Sequence, residues 1–177
     1  MIEFFKEEQL SMAKAQRKKV LLKYLLTLGV YLIYATCMML WYWTLPYMHP
    51  QIKVIKWILY STSVLYMIFS YVYLSIAYGR VHRYYKLCDK VLYDRKETYV
   101  GEFLRYDESM DQKDGVDCKS LIFKEWNKYK KVYFERKVLV PYEMDFPQIE
   151  QNATIRYVVQ GNVLVRYEYI DVKGEQQ

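Results

Sequence analysis

Two runs of 22 residues, 24–45 and 57–78, contain no Asp, Glu, Lys, Arg, His or Pro. As helix, at about 1.5 Å per residue, each run reaches about 33 Å, enough for the roughly 30 Å hydrocarbon core of a bilayer. The sequence therefore predicts two membrane spans. The 11-residue connection between them holds Pro46 and Pro50, which stop the first helix and delay the second. A connection so short makes the spans antiparallel neighbours. The first run exceeds the core of a signal peptide, and Trp41, Tyr42, Trp43 and Pro46 stand where small cleavage-site residues would be. It is expected to stay in the mature chain.

The charge pattern orients the hairpin. Net charge is +6 over 177 residues. Lys14, Arg17, Lys18, Lys19 and Lys23 precede the first span, and Arg80, Arg83, Lys86, Lys90, Arg95 and Lys96 follow the second. The loop carries only Lys53 and Lys56. Positive residues in short flanking segments stay inside, so both ends are expected in the cytoplasm, most simply at the plasma membrane. Trp41, Trp43 and Trp57 mark the outer interface, with Arg80 and Arg83 at the inner one. Basic residues flank the spans instead of forming a separate face, so membrane lipid is the expected partner and nucleic acid is not.

Lipid tails are as apolar as the spans, so close packing of small residues must join the helices. Gly29 and Thr36 repeat at seven residues in the first span, as do Ser63, Ser70 and Ala77 in the second. Such a repeat keeps one seam on a left-handed crossing. These five residues are the expected packing seam. Residues 1–19 mix charges with Ile2, Phe4, Phe5, Leu10 and Met12 and are expected to form a basic, amphipathic segment in the interface. Within the hairpin region 20–78 no ionisable side chain lies inside a span, which disfavours an ion pathway. Residues 79–96 space their apolar positions as a helix, predicting a juxtamembrane arm.

From residue 98 the period changes to two. Strands are expected at 99–106, 118–126, 132–140, 153–159 and 163–170, with an acidic loop over 107–116. The predicted fold class is membrane α+β. It joins the two-helix transmembrane hairpin to a small antiparallel five-stranded, barrel-like cytoplasmic domain of OB or SH3 type over 97–172. A polar tail, 173–177, follows. About 75 residues make a thin core unless the sheet curls on itself.

Catalytic and metal chemistry finds little footing. Asp107, Glu108, Asp111, Asp114 and Asp117 crowd one loop but lack the alternation and closing Glu of a calcium loop. His49 and His82 fall on opposite sides of the expected membrane. No nucleophile elbow, zinc-binding helix or phosphate loop occurs. Cys37, Cys88 and Cys118 form no paired motif and suit a reducing compartment. No enzyme, cofactor or metal is expected. Lys128, Lys130, Lys131, Arg136 and Lys137 cluster near the middle hairpin as a candidate partner-binding patch. The expected function is a non-catalytic adaptor or accessory subunit of a membrane complex. Its partner would be another membrane protein or a second copy of the chain. The alternative is a membrane-anchored sensor holding a small ligand in the β domain.

Overall fold

A computed structural model describes residues 2–46, 48–127 and 129–170. The expected tail at 173–177 lies outside the described residues. The chain divides into two compact units, one of Lys14–His82 and one joining the residues up to Ala13 with those from Arg83 onward.

The first unit is built from two long helices. Helix α1 spans Glu7–Thr44 and helix α2 spans Gln51–Val72. A π-helical turn at Tyr73–Tyr78 and helix α3, Gly79–Tyr93, continue α2 without a break. Both helices are long and apolar enough to cross a membrane, and hardly any of either apolar stretch is buried within the chain. Thr44 and Pro46 end α1. His49 starts α2, its Nδ1 accepting from the Gln51 amide at 3.3 Å and its carbonyl from the Ile52 amide at 3.0 Å. That supplies the cap that Pro50 has no side chain to give.

The second unit is a mixed sheet. Its strands are β1 (Ile2–Glu3), β2 (Glu97–Lys113), β3 (Val116–Asn127), β4 (Val132–Pro141), β5 (Thr154–Gln160) and β6 (Val163–Tyr169). They lie in the order β1-β6-β4-β3-β2-β5, and β5 also pairs with β6. The pairings are antiparallel except for β4 with β6, which meet in parallel at Leu139 and Val163. An antiparallel five-stranded sheet was expected. The sixth strand comes from the chain's own beginning, and the parallel contact arises because β5 turns tightly into β6 at Gln160–Val163.

Two further expectations are corrected. Residues 107–113 are not loop but the second half of β2, and only Asp114 and Gly115 form the turn, both at positive φ. Alternation fails there because register shifts at Phe103/Arg105 and Asp107/Asp111 interrupt the pleat. Residues 2–5 do not begin an interfacial helix. The Phe4 amide donates to the Val165 carbonyl at 2.9 Å, its ring stacks on Tyr167, and Phe5 is buried in the core.

The core gathers Phe103, Leu121, Phe123, Val138, Tyr157 and Leu164, with Leu87, Cys88 and Val91 of α3 packed into the same cluster. Those three recur at helical spacing on one face of α3, so the expected arm is an amphipathic helix laid on the sheet. Gly101 permits the bend in β2 where it leaves β5 for β3. A Cβ there would stand 3.1 Å from the Lys124 carbonyl and 3.2 Å from Glu125 Cγ.

Candidate functional site

In the helical unit, the contact between α1 and α2 is made by tyrosines. Tyr31 stacks on Tyr66 with centroids 4.2 Å apart, and Tyr24 stacks on Tyr73 at 5.9 Å. The Tyr31 hydroxyl lies 2.7 Å from Ser63 Oγ, which also donates to the Leu59 carbonyl. The Tyr73 hydroxyl donates across to the Val20 carbonyl at 3.2 Å. In α1 the half-buried positions Tyr24, Leu28, Tyr31, Ala35, Met38 and Tyr42 follow a three-four spacing, the signature of one packed face.

Of the expected seam residues, Ser63 and Ser70 are half-buried on α2 and Ala77 on the π-helical turn that continues it. Thr36 is exposed and bonds back to the Leu32 carbonyl, and a Cβ on Gly29 would meet nothing within 4 Å. Large rings set the spacing, so the small residues of α1 are not what lets the helices meet. The seven-residue spacing of Tyr24 with Tyr31 and of Tyr66 with Tyr73 is legible in the sequence, but close packing of small residues drew the expected seam elsewhere.

Rings hold the helices apart and leave an open groove of about 520 Å³. Val30, Tyr31 and Tyr34 line it from α1, and Leu65, Tyr66 and Phe69 from α2. The Tyr66 hydroxyl and Ser70 Oγ are buried without a hydrogen-bond partner among the described residues. In hydrocarbon an unpaired hydroxyl is costly, and a polar group on an entering helix could satisfy it. Trp41, Trp43 and Trp57 are all exposed on this unit.

In the β unit, the hairpin of β3 and β4 carries the expected basic patch but divides it. Near the turn Glu125 is buried. The Tyr157 hydroxyl donates to Glu125 Oε1, and Arg136 Nε donates to Oε2 at 3.0 Å. The Arg136 guanidinium lies 3.8 Å from the centre of the Tyr99 ring. Burial, followed by the hydrogen bond to Glu125, pushes the Tyr157 phenol far above its usual range. Lys137 bridges Asp107 at 2.9 Å and Asp111 at 2.5 Å, and Ser120 Oγ also donates to Asp111. The Lys137 ammonium holds the Asp107 carboxyl down at about 2 and lowers Asp111 as well. Arg136 and Lys137 are thus spent inside the fold. This internal neutralisation is what lets an acid-rich segment be strand.

The tip is different. Asn127 Oδ1 accepts from the Tyr129 amide at 2.9 Å and the Lys130 amide at 3.1 Å, and Lys131 turns at positive φ. Tyr129 is 98% exposed and Tyr133 63%, with Trp126 edge-on to Tyr133 at 4.8 Å. Lys130 and Lys131 have no carboxylate within ion-pair distance among the described residues. Lys128 lies outside the described residues.

The remaining candidates are structural. Asp114 pairs with Lys90 of α3 at 2.8 Å, which lowers its carboxyl pKa. Arg80 and Arg83 lie on α3, and His82 stacks on Tyr78. No group of three or more His, Cys, Asp or Glu able to hold a metal occurs among the described residues. Cys88 and Cys118 are buried, and burial pushes both thiols up to about 11. No protein-family model matches the chain, and no curated protein or solved structure matches it either.

Proposed function

We propose that the chain is a two-span integral membrane protein with both termini in the cytoplasm, acting as a non-catalytic accessory subunit. Its hairpin receives a span of a partner membrane protein, and its β unit is presented to the same complex. The observation that carries this reading is the groove between α1 and α2, lined by tyrosine rings, with a buried Tyr66 hydroxyl that has no hydrogen-bond partner among the described residues. Packed aromatic and hydroxyl surfaces are what a third helix can use in hydrocarbon, where hydrophobicity cannot drive association.

The membrane reading is supported by apolar stretches that stay uncovered. A core helix of a soluble domain would bury them, whereas Val30, Ile33, Leu65 and Met67 each expose about two-thirds of their surface or more. For the β unit we favour a small barrel of OB-like order. The pairings run β2-β3-β4-β6-β5 and return to β2, with the parallel contact between β4 and β6. Its interior is filled by Phe103, Phe123, Tyr157 and their neighbours, which gives little support to the ligand-sensor alternative.

Photo-crosslinking in native membranes tests the accessory reading. A benzophenone amino acid at Val30 or Leu65, in the groove, should give one stoichiometric protein adduct, while the same probe at Ile33 or Met67 should not. Tyr66→Phe should weaken that adduct without unfolding the hairpin. Adducts of equal strength at all four positions, or none at Val30 and Leu65, would defeat the reading.

A further inference from the structure

We infer that the tip of the β3–β4 hairpin, residues 126–134, is a docking point for an anionic lipid surface. The inference rests on the reading of α1 and α2 as spans, which tether the β unit to a bilayer.

Three observations carry it. The segment between Glu125 and Glu135 holds Lys128, Lys130 and Lys131 and no acid, and Glu125 and Glu135 are themselves occupied by Arg136 and Arg105. The lysines are interleaved with Trp126, Tyr129 and Tyr133, rings that are half to fully exposed. Aromatic residues with polar edges and lysines with long apolar stems are the side chains that settle at headgroup level. The turn is also set in advance by the two bonds to Asn127 Oδ1, so presenting Tyr129 costs little ordering on contact.

The distribution of charge selects the partner. A single nucleic-acid strand needs a basic track along a face. On the strands beside the tip, Arg105 pairs with Glu135 and Lys124 with Glu102. Lys130 and Lys131, without such a partner among the described residues, concentrate positive charge at the tip, which suits a flat anionic surface. A negatively charged leaflet attracts such residues strongly enough to change occupancy about fivefold per lysine.

The test uses the full chain with Cys37→Ser, reconstituted in nanodiscs of phosphatidylcholine alone or mixed with phosphatidylglycerol. An environment-sensitive nitrobenzoxadiazole dye is placed at Val132→Cys beside the tip, or at Asn162→Cys in the β5–β6 turn as control. Cys88 and Cys118 stay, because both are buried. The dye at Val132 should shift to the blue in anionic discs only, lose the shift in high salt, and leave the Asn162 dye unmoved. Lys128→Gln with Lys130→Gln should reduce the docked fraction several-fold while Cys118 remains unreactive, which shows that the sheet is intact.

A chain that inserts into the discs yet shows no shift would overturn the inference and leave the spanning reading standing. The same shift in phosphatidylcholine alone, or an oligonucleotide that shifts the dye while anionic lipid does not, would overturn it too. A chain that fails to remain with the lipid on flotation would remove the spans and the inference together.

Discussion

Glu125 shows how a single buried carboxylate organises its surroundings. One oxygen is taken by the Tyr157 hydroxyl and the other by Arg136, whose guanidinium in turn covers Tyr99. Such a pair is more costly to break than to remove. Glu125→Ala is expected to destabilise the chain by about 3 kcal/mol, the low end for a broken buried pair because Arg136 keeps a route to water. Glu125→Leu combined with Arg136→Met and Tyr157→Phe removes every group that would be stranded, and should recover most of that loss. Denaturant unfolding of the reconstituted protein, followed by Trp126 fluorescence in a background lacking Trp41, Trp43 and Trp57, measures both. A triple variant no more stable than Glu125→Ala would show that the network contributes more than satisfied polarity. The neighbouring Lys137 works on exposed acids. Asp107 and Asp111 have folded pKa values below their unfolded ones, so their contribution is present above about pH 4 and disappears as pH falls through the folded values, about 2 for Asp107. Lys137→Met should flatten that acid limb of the stability curve. An unchanged limb would place the acid sensitivity elsewhere.

Among the elements, the helix pair and the β2 strand show what sequence reading can and cannot reach. Absence of charge over 22 residues located both long helices, and the period of two located β3, β4, β5 and β6 to within a few residues. Both signals are local. The half of β2 beyond Tyr106 was not legible, since its acids are made acceptable by Lys137 and Ser120 on strands yet to come. Pairing of Ile2–Glu3 with β6 was hidden for the same reason, as the partners stand more than 160 residues apart. In the helix pair the expected seam runs through small residues. Ser63 is used, but as a hydrogen-bond partner of Tyr31 and not as a gap for close approach. Ser63→Ala should therefore weaken the pair by about 0.6 kcal/mol, the average for such bonds within membranes. Ser70→Ala removes a hydroxyl that has no partner among the described residues and should be neutral or slightly stabilising. Thermal unfolding in a mild detergent ranks the two, and equal losses would assign Ser63 a packing role only.

For the molecule as a whole, the chain distributes its functions by composition. Apolar residues without charge fill 24–45 and 57–78, basic residues flank both, and every strand after β1 follows them. With two spans the number of crossings is even, so the ends share a compartment whatever their orientation. On the excess of basic residues at the flanks, we propose that this compartment is the cytoplasm. The native thiols make this testable. Cys88 and Cys118 are buried, and their pKa values near 11 leave very little thiolate at neutral pH. With Cys37→Ser, a membrane-impermeant maleimide therefore reads only the cysteine that is introduced. In sealed vesicles with the cell exterior outward, Gln51→Cys should react at once. Asn162→Cys, in the turn between β5 and β6, should react only after the bilayer is opened. The opposite order would invert the hairpin and place the basic flanks outside, against the charge rule. Reaction of both before opening would mean that α1 and α2 lie along one face of the bilayer. The tyrosine groove would then meet headgroups, where water can satisfy Tyr66, and the reason for a partner span would be lost.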